Sequence, residues 1–598
     1  MIRRPLRPLA RVLSAREAGT DPDLIEIQER RNRALAQQSR ERRKAEARLV
    51  LLGAVFVLAF ASVAGRMALV AAELPFEPLG GAGQEPIAAQ RAEIVDRNGT
   101  VLATNIATAA LYAHPQEMVD PVAAAKGLAQ IFPDLEEDRL RRQFESERKF
   151  LWIKRSVSPE QRQLVHDLGE PALLFGPRQI RVYPNGGVAA HLLGGTRYGR
   201  EGVAAAEIVG AAGLERTFDA RLRDADKTHE PLRLSLDLPA QVGLEEVLAQ
   251  AMEDMSAVGA AGILMHAESG EIRAMASLPG FDANLRPALP TSGDPALSPL
   301  YNRAAQGRYE LGSIFKPITI ALALETGLVS PQSMVDTQGP MRWGRFTIRD
   351  FHDYGPRLSV TDVLVKSSNI GSARIAVEQG APAQQAFLRE LGLFDPVPLE
   401  LPETAQAKPI LPSRWSDLTT MTVSYGHGIA ITPLHLAAAY ATLANGGYRV
   451  SPTLLARPDY QPAESDRVIS ARTSREIRDM MRQVVERGTA RRAEVEGYEV
   501  AGKTGTADKP SATGGYARER VISTFASFFP ASDPDYVLLV SLDEPKTVIN
   551  GTTFRTAGLT AAPVAADVIT RLGPILGMRP LPPKEEPKSV LYTLAGND

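Results

Sequence analysis

Residues Leu49 to Gly65, LVLLGAVFVLAFASVAG, carry no charge. A run of 17 residues is near the shortest helix that crosses a bilayer. Arg66 follows, and Met67 to Ala72 is apolar again, so the predicted span is 49–72 with Arg66 snorkelling to the interface. The 48 residues ahead of it are too many for the n-region of a cleaved signal, so the span reads as a retained anchor. Residues 1–48 hold thirteen Arg or Lys and seven Asp or Glu, and Arg40, Arg42, Arg43, Lys44 and Arg48 abut the span. Basic flanks stay on the cytoplasmic side. The expected topology is a cytoplasmic leader, one membrane helix in the inner membrane, and everything after residue 73 exported. No second run of this length and apolarity occurs later in the chain.

More than 500 residues therefore have to fold outside the cytoplasm, too many for one compact domain. The absence of cysteine removes disulfides, thiolate metal sites and thiol nucleophiles. The eight histidines are scattered, with no HExxH, so neither a metal nor an organic cofactor is expected. A net charge of -2 gives no reason to expect nucleic acid.

The exported part changes texture along its length. Residues 75–90 are rich in Pro and Gly and read as a linker. In RAEIVDRNGTVLATN, residues 91–105, Asn98-Gly99 between apolar residues predicts a hairpin. Residues 121–170 read as helices with basic faces and Pro184-Asn185-Gly186 as a turn. The Gly-rich and polar stretch beyond that turn reads as loop to about residue 230. From Leu232 the pattern is a strand, a helix over Ala240–Met255, and two apolar strands, Ala261–Ala267 and Glu271–Ser277, joined as a hairpin. A helix over 313–327 and a mixed helical region lead to about 490. Strand-like runs come next at Tyr498–Thr506, Ile522–Phe529 and Tyr536–Leu542, then a helix over 557–572. Strands at both ends with helices between predict an α+β domain whose sheet joins the termini of its segment. The expected division is a leader (1–48), anchor (49–72), pedestal (73–230), catalytic domain (231–578) and tail (579–598).

Three short motifs carry chemistry. Ser313-Ile-Phe-Lys316 opens a helix, with Ser313 as a plausible N-cap and Lys316 on the same face. A serine hydroxyl needs a neighbour to take its proton. A lysine serves only if burial or a nearby cation lowers its pKa. Ser367-Ser368-Asn369 lies on the next helical region, where Ser367 is suited to relay a proton and Asn369 to bind a substrate amide. Lys503-Thr504-Gly505-Thr506 falls in a strand, with Lys503 and Gly505 on one face and Thr504 and Thr506 on the other. An edge strand there can pair with an extended peptide.

Each motif alone is common. In the order SxxK, SxN, KTG they resemble the penicillin-binding proteins and class A β-lactamases. RAEIVDRNGTVLA, GLERTFD (213–219), LRLSLDLPAQ (232–241), IRDFHDYG (348–355), SYGHGIAITPLHLAAAYATLANGG (424–447) and VERGTA (485–490) resemble a class B, cell-division (FtsI-like) member over about residues 49–576. The resemblance implies an antiparallel sheet flanked by helices, carried on an extended pedestal. It implies a D,D-transpeptidase that cross-links the stem peptides of septal peptidoglycan and is acylated by β-lactams. Ser313 is then the nucleophile and Lys316 the base. Ser367 and Lys503 pass the proton to the leaving D-alanine. Asn369, Thr504, Gly505 and Thr506 bind substrate, and the backbone N–H groups of Ser313 and Thr506 form the oxyanion hole. An FtsW-type glycan polymerase and other divisome proteins are implied partners.

Other readings compete. Gly497 to Thr504 fits GxxxxGK[ST], yet a phosphate-binding loop must open a helix, and Tyr498 and Val500 favour a strand. A β-lactam sensor shares the three motifs but not the pedestal. An elongation-type enzyme differs by judgement of segments 348–355 and 424–447. No serine has glycine at both -2 and +2, which removes the GxSxG hydrolases. Glu310-Leu311-Gly312 stands where many relatives have Pro-Gly, so the approach to Ser313 is expected to differ.

Overall fold

The computed structural model describes residues 49–67, 90–203, 206–511 and 515–582, with scattered residues between 13 and 32. The basic cluster Arg40–Arg48, the end of the span (68–72), the linker up to residue 89 and the tail beyond 582 lie outside the described residues. Among the described residues one helix, Leu49–Met67, is long and apolar enough to cross a membrane. The chain forms two compact units, one of residues 1–77, 114–129 and 133–151 and one of the remainder. The first contains this helix and the helix Glu137–Phe144, whose Leu140 and Phe144 are buried.

In the second unit, Asn98-Gly99 turns the chain between β1 (Ile94–Val95) and β2 (Val101–Ala113), which pair antiparallel. The Asp96 carboxylate accepts the N–H groups of Asn98 and Thr100, and Gly99 adopts φ +90, which suits a residue without a Cβ. β3 (Leu151–Val157) and β4 (Leu173–Val182) flank β2 on either side. The expectation of helix throughout 121–170 fails at β3, where LWIKRSV supplies Trp, Ile and Val to the sheet in place of a helical stripe. The expected loop after 186 likewise contains an antiparallel ribbon, β5 (Gly195–Glu201) with β6 (Ala206–Ala212). Short strands interrupted by glycine gave too few alternating residues to read. β7 (Leu232–Arg233) pairs parallel with β1, tying the segment after residue 231 to the sheet of β1 and β2.

That junction is fixed by buried charge. Glu215, fully buried, accepts from Arg91 Nε at 2.6 Å and from Arg181 Nε at 2.6 Å. Arg91 also reaches Asp219 at 2.7 Å. Arg91 of RAEIVDRNG and Glu215 of GLERTFD, 124 positions apart in the chain, thus meet in one ion cluster.

The segment after residue 231 is built on a five-stranded sheet of β8 (Gly259–His266), β9 (Ile272–Leu278), β14 (Ala501–Pro510), β15 (Tyr516–Phe529) and β16 (Tyr536–Asp543), in the order β14-β15-β16-β8-β9. The short strands β10 (Met334–Asp336), β11 (Met341–Trp343), β12 (Phe346–Ile348) and β13 (Arg357–Ser359) pair outside it. β8 and β16 are buried almost throughout, as expected of central strands covered on both faces. Helices α1 (Leu238–Asp254) and α8 (Ala561–Ile575) pack on one face and α6 (Pro433–Ala444) on the sheet's other side. A Cβ at Gly262 would stand 2.8 Å from Leu244 and Leu248 of α1, so glycine sets the closeness of that packing. Between the two halves of the sheet come α2 (Lys316–Glu325), α3 (Val360–Val365), α4 (Asn369–Gln379), α5 (Asp417–Ser424) and α7 (Ala471–Arg487). The chain is α+β, and β14 forms one edge of the sheet.

Candidate active site

Ser313 does not cap a helix. It sits within a 3-10 turn, Gly312–Phe315, and the α-helix proper begins at Lys316 with Phe315 at its N-cap and Pro317 in its first turn. The turn is held from behind: the fully buried Tyr440 donates its hydroxyl to the Ile314 carbonyl at 2.8 Å. Gly312 has φ +64 and donates to the Gly426 carbonyl. A Cβ at Gly426 would lie 2.1 Å from the Gly312 carbonyl, and one at Gly505 would lie 2.4 Å from the Leu311 carbonyl. Backbone packs directly on backbone here, which brings β14 against the turn that carries Ser313.

The SxN motif lies between two helices. α3 ends at Val365, Ser367 takes φ +63, and Ser368 caps α4 by accepting from Gly371 N–H. A left-handed serine is strained and has to be held by its surroundings. Asp350 does much of that holding. Its carboxylate accepts from the Ser368 hydroxyl at 2.6 Å and from the backbone N–H groups of Asn369 at 2.5 Å and Ile370 at 3.0 Å. Sequence reasoning assigned Asp350 no role, although it lies in the IRDFHDYG segment; nothing in spacing marks a carboxylate that caps a helix about twenty residues later.

All three motifs meet at Lys316, which is fully buried. Its Nζ lies 2.9 Å from Ser313 Oγ, 3.0 Å from Ser367 Oγ, 2.8 Å from Asn369 Oδ1 and 2.6 Å from the Ser367 carbonyl. Burial first, and the neighbouring Lys503 charge second, push its pKa well below the ordinary value, against a smaller opposing pull from Asp350. The carbonyl oxygens of Ser367 and Asn369 only accept, so they take two N–H bonds of Lys316; the Ser313 and Ser367 hydroxyls can donate or accept, and in the neutral amine the lone pair is left to face the Ser313 hydroxyl. Asn369 spends its oxygen on Lys316 and one N–H on the Arg349 carbonyl, leaving one N–H for a ligand.

Lys503, also fully buried, donates to Ser367 Oγ and to the Thr504 carbonyl, both at 3.0 Å. Ser367 Oγ therefore bridges the two lysines. Burial lowers the Lys503 pKa to about 7. Thr504 Oγ1 lies 2.8 Å from Thr489 Oγ1, and Thr506 Oγ1 accepts from Ala557 N–H at 2.9 Å. That bond occupies the Thr506 oxygen and leaves its hydrogen free to donate. Thr489 and Ala557 were missed from sequence; only the VERGTA segment hinted at the first.

The rim carries a further network. Glu310 accepts from Gly428 N–H and from the Tyr516 hydroxyl, each at 2.8 Å. The rings of Tyr425, His427 and Tyr516 form a wall beside it, with successive centroids 5.4 and 6.2 Å apart. The departure at Glu310 thus links the approach to Ser313 to the start of β15. The phosphate-loop reading of Gly497–Thr504 is contradicted: strand β14 occupies the position where a helix would have to start, and Lys503 points into the cleft.

One consequence of the buried lysine is measurable in stability. Unfolded, Lys503 has a pKa of 10.5; folded, about 7. Between these values the unfolded chain holds the extra proton, so stability rises with pH. The cost of the buried charge is full below pH 7 and gone above 10.5. In Lys503→Met this contribution disappears. From about pH 7.5 to 9.5 the variant is expected to lose ground against the parent by about 1.4 kcal/mol per pH unit. Thermal unfolding of both proteins across that range checks it, and parallel curves would contradict a depressed Lys503.

The penicillin-binding protein transpeptidase domain matches residues 260–570, and the penicillin-binding protein dimerisation domain matches residues 86–230. The chain belongs to the penicillin-binding proteins. Among its relatives, the probable peptidoglycan D,D-transpeptidase FtsI of Caulobacter vibrioides is 36% identical over 510 residues, covering 84% of each chain. The peptidoglycan D,D-transpeptidase FtsI of Escherichia coli is 29% identical, over 77% of this chain and 80% of that one. Penicillin-binding protein 3 from Mycobacterium tuberculosis, solved with aztreonam, superposes with a TM-score of 0.61 at 26% identity, covering 83% of this penicillin-binding protein and 98% of that chain. The motif-bearing segments all lie within the transpeptidase match.

Proposed function

We propose that this penicillin-binding protein is a peptidoglycan D,D-transpeptidase of the cell-division type, working through an acyl-serine. The observation that carries the reading is the position of a buried lysine Nζ 2.9 Å from Ser313 Oγ with its two N–H bonds directed elsewhere. Ser313 Oγ attacks the carbonyl carbon of the penultimate D-alanine while its proton passes to the Lys316 amine. The oxyanion is stabilised by the backbone N–H groups of Ser313 and Thr506. Collapse breaks the peptide bond. The departing D-alanine amine takes the proton through Ser367, which touches both lysines. The free Thr506 hydroxyl hydrogen, Thr504 and the Lys503 cation hold the substrate carboxylate, and the edge of β14, with Gly505 bare, receives the extended peptide. Asn369 offers its remaining N–H to a substrate amide. The amine of a second stem peptide then attacks the ester, releases Ser313 and forms the cross-link. A β-lactam undergoes the same first step, and its ester persists.

The membrane topology belongs to the same reading: leader in the cytoplasm, helix Leu49–Met67 in the inner membrane, catalytic domain in the periplasm. Glycan polymerisation then falls to a separate FtsW-type polymerase, with other divisome proteins assembled around it. The test is to label the full chain with a fluorescent penicillin, digest it and locate the adduct by mass spectrometry. The expected adduct is on the peptide containing Ser313, and a D-Ala-D-Ala donor releases D-alanine as Ser313 is acylated, with continued release and a new amide bond once an amine acceptor takes the acyl group. An adduct on another residue, or acylation without any peptide turnover, would overturn the proposal; the second result is that of a sensor.

A further inference from the structure

A cavity of about 440 Å³ opens between the end of β4, the β5–β6 ribbon and the segment Ala283–Arg286 of the catalytic half. This is the size range of small-ligand sites. One wall is apolar, formed by Ile180, Val182 and Ile208. Three arginines, Arg181, Arg197 and Arg286, also line it, and no Asp or Glu does.

The charges around it are unevenly matched. Arg91 and Arg181 are balanced by Glu215 and Asp219. Among the described residues, Arg197 and Arg286 have no ion pair. Arg181 is buried, with Nε committed to Glu215 and Nη1 to the Ala92 carbonyl and Asn105 Oδ1. Its Nη2 is buried with no hydrogen-bond partner, and so is the Nε of Arg286. The charge the cavity itself offers is that of Arg197 and Arg286, with no carboxylate in its lining. The frame is rigid: Tyr198 donates to the Gln179 carbonyl at 3.3 Å, and Asn284 exchanges two bonds of 2.9 Å with the Tyr183 backbone.

We propose that this cavity is a second binding site, for the carboxylate end of a peptide, separate from the Ser313 cleft. Guanidinium groups match the planar, two-oxygen geometry of a carboxylate. The apolar wall opposite calls for an organic body behind the anion, which inorganic phosphate lacks. Because the ligand bridges β4 to the Ala283–Arg286 segment, its binding stabilises the contact between pedestal and catalytic half. The choice of a D-alanyl peptide as ligand rests on the proposed function.

The test uses the full chain in detergent micelles, first acylated with benzylpenicillin so that the Ser313 cleft is closed. It is titrated with diacetyl-Lys-D-Ala-D-Ala and, in parallel, with inorganic phosphate. The expected result is saturable peptide binding that weakens about tenfold or more in Arg286→Ala and in Arg197→Ala, with unfolding temperatures unchanged. Arg197 is exposed at the mouth, so its variant keeps the test open if Arg286→Ala disturbs packing. Binding that vanishes on acylation, or is indifferent to both substitutions, overturns the second site. Phosphate binding as tightly as the peptide overturns the assignment to a peptide carboxylate. If penicillin fails to acylate the chain, the proposed function is at fault instead, and the same arginine dependence is read on the unblocked protein.

Discussion

Acylation by a fluorescent penicillin is expected to vanish in Ser313→Ala and to slow by about 10²–10⁴-fold in Lys316→Ala, with both variants folded. The two substitutions remove different things. Without Ser313 Oγ there is no atom to form the ester. Without Lys316 the hydroxyl remains in its turn, held by Tyr440 and Gly312, but nothing nearby accepts its proton. Lys503 is no substitute, because its Nζ is bonded to Ser367 Oγ and the Thr504 carbonyl. The pH dependence is set by the same group. The Lys316 pKa is lowered, chiefly by burial and then by Lys503, which extends the range of the free amine toward lower pH; the base is lost as pH falls through the depressed value. Stopped-flow or gel-based acylation rates measure the effect. A Lys316→Ala rate within a few-fold of the parent would assign the proton to another acceptor.

The second large effect lies far from the chemistry. Glu215→Ala is expected to destabilise the protein by about 3–5 kcal/mol, because removing one member of a buried ion cluster strands the others. Glu215 is completely buried and satisfies Arg91 and Arg181 with one oxygen each. Its loss leaves two buried guanidinium groups facing Asp219 alone, and of these two Asp219 touches only Arg91. Glu215→Gln keeps the shape and loses the charge, so a smaller loss is expected from it. Thermal or denaturant unfolding gives the measurement, and a change below about 1 kcal/mol would mean that the cluster contributes no more than a surface pair. Acylation of the folded fraction should keep its rate, since none of these side chains reaches the cleft.

Sequence reasoning reached the fold where pattern is strong. The hairpin of β8 and β9, the three late strands and the turn at Asn98-Gly99 lie where alternation and turn chemistry predict them, because buried central strands and tight turns tolerate few residue types. It failed at β3, β5 and β6, whose residues are half exposed and whose pairing depends on partners far along the chain. At the site, the SxxK, SxN and KTG segments are brought together as the expected cleft requires. The conformations there were not legible: a 3-10 turn in place of a capped helix at Ser313, and a left-handed Ser367, are imposed by tertiary packing against local preference. Asp350 and Thr489 were unmarked for the same reason, and Glu310 stood out only as an unusual neighbour of the motif. Each acts through a hydrogen bond whose partner only folding supplies.

The backbone seam of Gly312, Gly426 and Gly505 has an evolutionary corollary. Where a single added carbon would collide with main chain, as at Gly426 and Gly505, or strain a left-handed backbone, as at Gly312, a lineage has no room to enlarge those residues without displacing Ser313. Change is left to the tier behind, to side chains such as Glu310 and Tyr516 that hold their places by a hydrogen bond to each other and not by main-chain packing.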